Sequence, residues 1–149
     1  MPMTRRIAVR GIVVHDGKLL CATPKPYNKN VITGLWGVPG GGIDDGEALI
    51  PALERELFEE LGISPKIGIL LYIQQFTKPS GRENLEFFFH ITNAHEFLNL
   101  DLSKSTHGEA EIEDIKFVDP AKFPIVPKFL MSESFTNIAN QPTKIFNYL

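Results

Sequence analysis

Glu56, Glu59 and Glu60 stand at i, i+3 and i+4, and at 3.6 residues per turn that spacing sets three carboxylates on one face of a helix, converging on one spot. The helix expected to carry them runs from Ala48 to Leu61. Gly62 follows directly as a left-handed C-terminal cap, and Pro51 falls in the first turn, where a missing N–H costs little. Leu53, Leu57 and Leu61 form an apolar stripe beside the acids, with Phe58 further round, so the helix docks with one side and presents carboxylates at the stripe's edge. Ala52, four residues before Glu56, leaves the acidic face sterically open.

Such a face costs stability. Like charges at these spacings destabilise by on the order of a few tenths of a kcal/mol per pair, and acids in the last turns oppose the helix dipole by roughly 0.3 to 1 kcal/mol each. A plainer reading makes the face a solvated surface. Against it, Arg55 is the only basic residue in the helix and no Lys stands at i+4 to any of the acids, so this is not a salt-bridge lattice. A hard divalent cation is the better partner. Clustered carboxylate oxygens suit Mg²⁺, with Mn²⁺ possible, and Mg²⁺ is held by one or two carboxylates together with substrate phosphates. The chemistry is therefore that of phosphate esters or anhydrides. Zinc is disfavoured because Cys21 is a lone cysteine and His15, His90, His95 and His107 show no ligand spacing.

The elements around the helix follow from pattern. Ile7 to Val14 and Leu19 to Thr23 read as a hairpin about His15-Asp16-Gly17-Lys18, with Asp-Gly at the turn. Pro24 to Gly34 is a surface loop. Leu35 to Pro39 is a short apolar piece running into Gly40, Gly41 and Gly42, where absent side chains permit close backbone approach to a ligand. Strands are expected at Ile67 to Phe76 and Leu85 to Thr92, joined by Thr77 to Arg82. A last strand carries Ile112, Ile115, Phe117 and Val118, and a second, less amphipathic helix spans Val126 to Ala139. The sum is an α+β domain, one unit over 1–149, with helices packed on a largely antiparallel or mixed sheet.

Composition narrows the partners. A net charge of −3 in 149 residues, 43% hydrophobic and 22% charged, gives no general attraction for a nucleic-acid polymer or an anionic membrane. Cys21, in an apolar run and without an internal partner, suits a buried residue in a reducing compartment. No stretch of the amino terminus is long and apolar enough for a signal peptide or membrane span. A cytoplasmic protein, monomer or homodimer, acting on a nucleotide-type small molecule is the expectation.

From Gly41 to Ile63 the fixed residues are Gly41, Glu47 after five residues, Arg55-Glu56-Leu57 after seven, then Glu59-Glu60 and Gly62-Ile63 after one each. This pattern resembles the complete box of the Nudix hydrolase family, MutT-like members included. The resemblance implies the Nudix fold, an α/β/α sandwich with a mixed β-sheet, and metal-dependent cleavage of a phosphoanhydride in a nucleoside diphosphate linked to another moiety. By the same resemblance Glu56, Glu59 and Glu60 hold Mg²⁺, sometimes with the Gly40 carbonyl, and Gly40, Gly41 and Gly42 form the phosphate loop. Arg55 orients the acids and Glu47 supports the loop and Arg55, so that Glu47, Arg55, Glu56 and Glu59 make up the catalytic set. The general base is a box glutamate in some members and a glutamate from a later loop in others, here Glu109, Glu111 or Glu113; as residues alone, these three also read as an exposed acidic loop.

Substrate contacts are open at this level. Tyr27 and Asn28 offer a stacking ring and an amide from a loop that could equally be solvated. Phe76 and Phe87 could line a base pocket, although strand aromatics are usually core. A nucleoside triphosphate, cleaved by a MutT-like sanitising pyrophosphohydrolase, is the leading expectation. ADP-ribose or another nucleotide sugar is the alternative; Pro79, 16 residues after Ile63, is similar to a proline after the box in ADP-ribose pyrophosphatases, but its neighbours depart from that pattern. A non-catalytic nucleotide-binding module of the same fold is the rival of another class. Such modules lose box acids, and this chain keeps them all.

Overall fold

The structure, a computed structural model, describes residues 4–26 and 34–148. Its strands and helices are β1 (Arg5–Ile12), β2 (Val14–His15), β3 (Lys18–Pro24), β4 (Trp36–Gly37), β5 (Gly40–Gly42), α1 (Leu49–Leu61), β6 (Ile67–Thr77), β7 (Glu83–Ile91), α2 (Gly108–Glu111), β8 (Ile112–Val118), β9 (Ile125–Val126) and β10 (Lys144–Tyr148). One mixed sheet has the order β10-β6-β7-β1-β5. A second runs β2-β3-β4-β9, with β8 also paired to β3.

The Asp16-Gly17 turn forms with φ of 51° and 73°, the left-handed pair that a two-residue hairpin demands. Only its tip is a hairpin, however, with Val14 opposite Leu19 and His15 opposite Lys18. Upstream the chain crosses to the other sheet, where β1 runs parallel to β7 and antiparallel to β5. In that place both edges of β1 are paired, which a two-stranded hairpin cannot provide. Gly11 permits the crossover to lie under α1: a Cβ there would meet Leu57 Cδ2 at 3.2 Å and Ile91 Cγ1 at 3.1 Å.

Helix α1 ends at Gly62, whose φ is 75° and whose N–H donates to the Phe58 carbonyl. Ala52, Leu53, Leu57 and Leu61 are its buried residues. Ala52 thus belongs to the docking stripe and does not border an open acidic face. Phe58, at 51% exposure, lies outside the core. Strand alternation then splits the phenylalanines of β7. Phe87 and Phe89 pack on the α1 side with Val9 and Leu57, while Phe88 joins Tyr72, Ile12 and Phe129 on the opposite face.

Two expectations fail beyond residue 118. Val126 to Ala139 is not a helix: after β9 the chain makes 3-10 turns at Lys128–Met131 and Ile138–Asn140. Phe129, Leu130, Phe135 and Ile138 are buried from these irregular turns, so apolar spacing near 3.6 arose without a helix. Nor is β8 the last strand, because β10 adds to the edge of β6 in parallel.

Candidate functional site

Helix α1, β5 and the turn between them bring the box residues together around Arg55. Its Nε donates to Glu47 Oε2 at 2.8 Å and its Nη2 to Glu47 Oε1 at 2.9 Å, a bidentate pair. Nη1 reaches Glu56 Oε1 at 3.1 Å and Glu59 Oε2 at 3.2 Å, and Nη2 also reaches the Gly42 carbonyl at 3.3 Å. Arg55, with the Asp44 N–H, pulls the Glu47 carboxyl down to about 2, and the acids in turn raise the guanidinium. One arginine therefore ties the loop before the helix, the glycine strand and two of the three acids into a single unit.

The three acids are not equivalent, and the single meeting point expected from the helical wheel is spread over three directions. Glu59 is flanked by Arg55 and by His107, whose Nδ1 lies 3.4 Å from Oε2. Glu56 lies beneath Gly41, where a Cβ would come within 2.6 Å of its Cδ. Glu60 turns to the other side and accepts the Gly40 N–H at 3.3 Å. Among the described residues no group of three such side chains is gathered tightly enough to enclose an ion as it stands, because Arg55 draws Glu56 and Glu59 to itself.

Charge in this corner is under-compensated at Glu60. Burial, and then the neighbouring Glu56, push its carboxyl up to about 8, against opposing pulls from Arg10 and the Gly40 N–H. Burial likewise raises Glu56, with Arg55 drawing it back. Two half-buried carboxylates, both raised by burial and Glu60 further by Glu56, four residues apart on a helix and beside a glycine strand, form a donor set that a hard dication fits. The Gly40 carbonyl, which accepts from Arg10 Nη1 at 3.2 Å, retains a second lone pair toward the same corner.

The glycines are required by space. At Gly40, φ is 144° and a Cβ would lie 2.1 Å from the Val9 carbonyl oxygen; at Gly41 it would strike Glu56. The C-terminal end of α1 is pinned from the far side, since His107 N–H donates to the Glu59 carbonyl at 2.8 Å and a Cβ at Gly108 would fall 1.9 Å from the Glu60 carbonyl oxygen. This contact starts α2 directly beneath the acids. Of the three late glutamates, Glu111 lines the same cleft as Glu60, and its charge bears on that carboxyl. All three are exposed, but Glu109 and Glu113 do not line that cleft.

From Glu60 the cleft, about 620 Å³, passes Gly40, Val38 and Phe76, and it continues into a chamber of about 550 Å³ whose floor is polar. Phe76 stands between the two halves. Phe87 lies on the α1 face and lines neither. Tyr27 and Asn28 lie outside the described residues. Sequence reasoning missed the floor itself: Arg6 and Arg10 from β1, Gln74 from β6, and Asn84 and Glu86 from β7. Their signal was present as polar residues at even spacing on one strand face, Arg6 and Arg10 four apart and Asn84 and Glu86 two apart.

A family model described as the NUDIX domain matches residues 4–137. An RNA pyrophosphohydrolase of Pasteurella multocida is 32% identical over 111 residues, 64% of this chain and 54% of that relative, so the chain spans about half the length of that protein. A CTP pyrophosphohydrolase of Escherichia coli is 29% identical over 123 residues, covering 82% of this chain and 89% of its own. The crystal structure of a MutT NUDIX hydrolase from Burkholderia pseudomallei superposes with a TM-score of 0.67 at 20% identity, covering 87% of this chain and 97% of the other, which shows a shared fold.

Proposed function

The chain belongs to the NUDIX domain family, and from that premise we propose that residues 1–149 form one hydrolase domain that cleaves a phosphoanhydride in a nucleoside triphosphate. The observation that carries this reading is the continuity of the cleft, which joins the Glu60–Glu111 corner to a chamber of nucleoside size. Glu56 and Glu60 are the residues to hold Mg²⁺ or Mn²⁺, with Glu59 and the Gly40 carbonyl beside them. When bound, such an ion neutralises phosphate oxygens and acidifies water.

The chain's own residues do the rest. Gly41 and Gly42 let the Glu56 carboxylate and the Arg6 guanidinium lie directly against β5, so that phosphates reaching this strand would meet a metal ligand and a cationic donor side by side. Arg55, anchored by Glu47, holds Glu56 and Glu59 beside the glycine strand, where a bound cation would compete with it for their oxygens. Glu111 stands across the cleft from Glu60 and takes the proton of the attacking water at its carboxylate. Cytoplasmic residence belongs to the same reading; it is supported by Cys21, fully buried with its thiol pushed up to about 12 and so inert as a nucleophile. No helix among the described residues is long and apolar enough to cross a membrane.

The test is a Mg²⁺-containing panel of nucleoside triphosphates, ADP-ribose and 5′-triphosphorylated RNA, with products separated by chromatography. Hydrolysis of the triphosphates that disappears in Glu60→Gln is the expected result. A panel left untouched by folded, metal-supplied protein would return the chain to a binding role.

A further inference from the structure

The chamber floor is a row across four strands. Gln74 on β6 is in register with Glu86 on β7, Glu86 with Ala8 on β1, and Ala8 with Gly42 on β5. At the usual strand spacing the row spans roughly 14 Å, and its two ends differ in chemistry. At the Gly42 end the Arg6 guanidinium lies overhead, 3.3 Å from where a Cβ would be, offering donors beside the phosphate loop. At the other end the groups are acceptors. Glu86 is 7% exposed and Gln74 6%. Arg10 donates through Nε at 3.3 Å and Nη2 at 3.2 Å to Glu86 Oε2, and Gln74 Nε2 donates at 3.0 Å to Glu86 Oε1.

Lone-pair accounting gives this end a definite preference. Each carboxylate oxygen accepts about two hydrogen bonds. Oε2 is filled by Arg10, while among the described residues Oε1 meets Gln74 alone and keeps one place open. A carboxylate only accepts, so the Gln74 amide must turn its nitrogen toward Glu86, and its oxygen becomes a second acceptor. A ligand edge that meets these groups needs N–H donors.

Nothing in the packing calls for polar groups here. One residue further along the same face the fold uses Tyr72 and Phe88, and a buried ion pair is no more stabilising than well-packed apolar residues. We propose that Glu86 and Gln74 form an acceptor edge that selects nucleotides whose base carries an exocyclic amino group over their keto counterparts. The selection rests on the reading of the cleft as a nucleotide site. Arg10 links the edge to the reaction centre, since it also donates to the Gly40 carbonyl.

The experiment compares kcat/KM for CTP against UTP and for ATP against ITP, each pair differing in amino versus keto at one position. The native protein favours the amino member of both pairs by about 10-fold or more, the cost of leaving a buried acceptor facing a carbonyl. In Glu86→Gln, Arg10 holds the new amide oxygen, the NH₂ takes the place of Oε1, and Gln74 turns its oxygen to meet it. The floor then offers N–H groups, and both ratios collapse or invert while metal dependence persists. Gln74→Met removes the amide oxygen and also the N–H that occupies Glu86 Oε1 while leaving the Arg10 pair intact, so it changes both ratios from their native values and covers the case in which Glu86→Gln does not fold. Equal kcat/KM within both pairs for the native protein, or ratios unmoved by a folded variant, overturns the acceptor edge and leaves the hydrolase reading standing. If none of the four is hydrolysed, that reading fails instead, and calorimetric affinities for CTP and UTP then decide the edge: tighter CTP binding supports it, equal binding overturns it.

Discussion

Glu60 and Glu86 are both carboxylates drawn out of water within one cleft, yet their surroundings are opposite. Glu86 is met by the Arg10 guanidinium and the Gln74 amide. Among the described residues Glu60 has one backbone N–H at 3.3 Å and a second acid, Glu56, as a neighbour. The first carboxylate is satisfied and rigid, which suits reading a neutral donor. The second lacks the donors that would hold its charge, so a cation would supply what its surroundings do not. Burial by itself therefore says little about a carboxylate's role; the inventory of donors around it separates the two.

The contrast breaks most decisively on metal removal. Chelation, or Glu56→Gln or Glu60→Gln with fold retained, is expected to lower kcat by about 10³-fold, while Glu86→Gln leaves the dependence on added Mg²⁺ intact. Full turnover in chelator would mean that Glu60 is not open to a cation. Next in size is Gly41→Ala. Its methyl carbon falls 2.6 Å from the Glu56 carboxylate carbon, and turnover should drop by about 10²-fold with only a small change in melting temperature. Gly40→Ala meets the Val9 backbone instead, so circular dichroism melts should show a destabilised fold; equal melts for the two variants would contradict the assignment of one glycine to the site and the other to the chain path.

Glu111→Gln should lower kcat by roughly 10 to 100-fold as a lost proton acceptor. Glu109→Gln and Glu113→Gln, both off the cleft that Glu60 lines, should stay near the native rate, and a ranking led by either of them would place the base elsewhere. The smallest effect is on stability. Glu60 has a folded-state pKa of about 8, above the ordinary carboxylate value near 4.5, so between these limits the native state binds more protons than the unfolded one. Stability of the metal-free protein must then fall as pH rises from about 5 to 8. Glu60→Gln should flatten that decline and raise the melting temperature at pH 8, whereas Glu56→Gln weakens its bond from Arg55 by removing the charge and gains less. A metal-free melting curve that is flat in the native protein over this range would show that Glu60 is compensated after all.

Local chemistry was legible in the chain itself. The i, i+3, i+4 spacing of Glu56, Glu59 and Glu60, the Gly62 cap, the Asp16-Gly17 turn and the β6–β7 hairpin depend on contacts within a few residues, or on a period that one strand or helix imposes. The box from Gly41 to Ile63 carried the family because its parts lie on one continuous loop and helix. What failed needed partners distant in sequence. Whether β1 stays in its hairpin or crosses to pair with β7 depends on a strand more than seventy residues away. The apolar spacing after Val126 could not tell a helix from 3-10 turns wrapped on Tyr72 and Phe88. Phe76 and Phe87 look alike in sequence, and only the register of β6 on β7 sends one to the cleft and the other to α1. Of Glu109, Glu111 and Glu113, Glu111 is the one that lines the cleft with Glu60, and that position depends on Gly108 packing against the Glu60 carbonyl. The acceptor floor is the clearest case: Arg10, Gln74 and Glu86 come from three strands, and their hydrogen bonds exist only once the sheet has set the register that makes them neighbours.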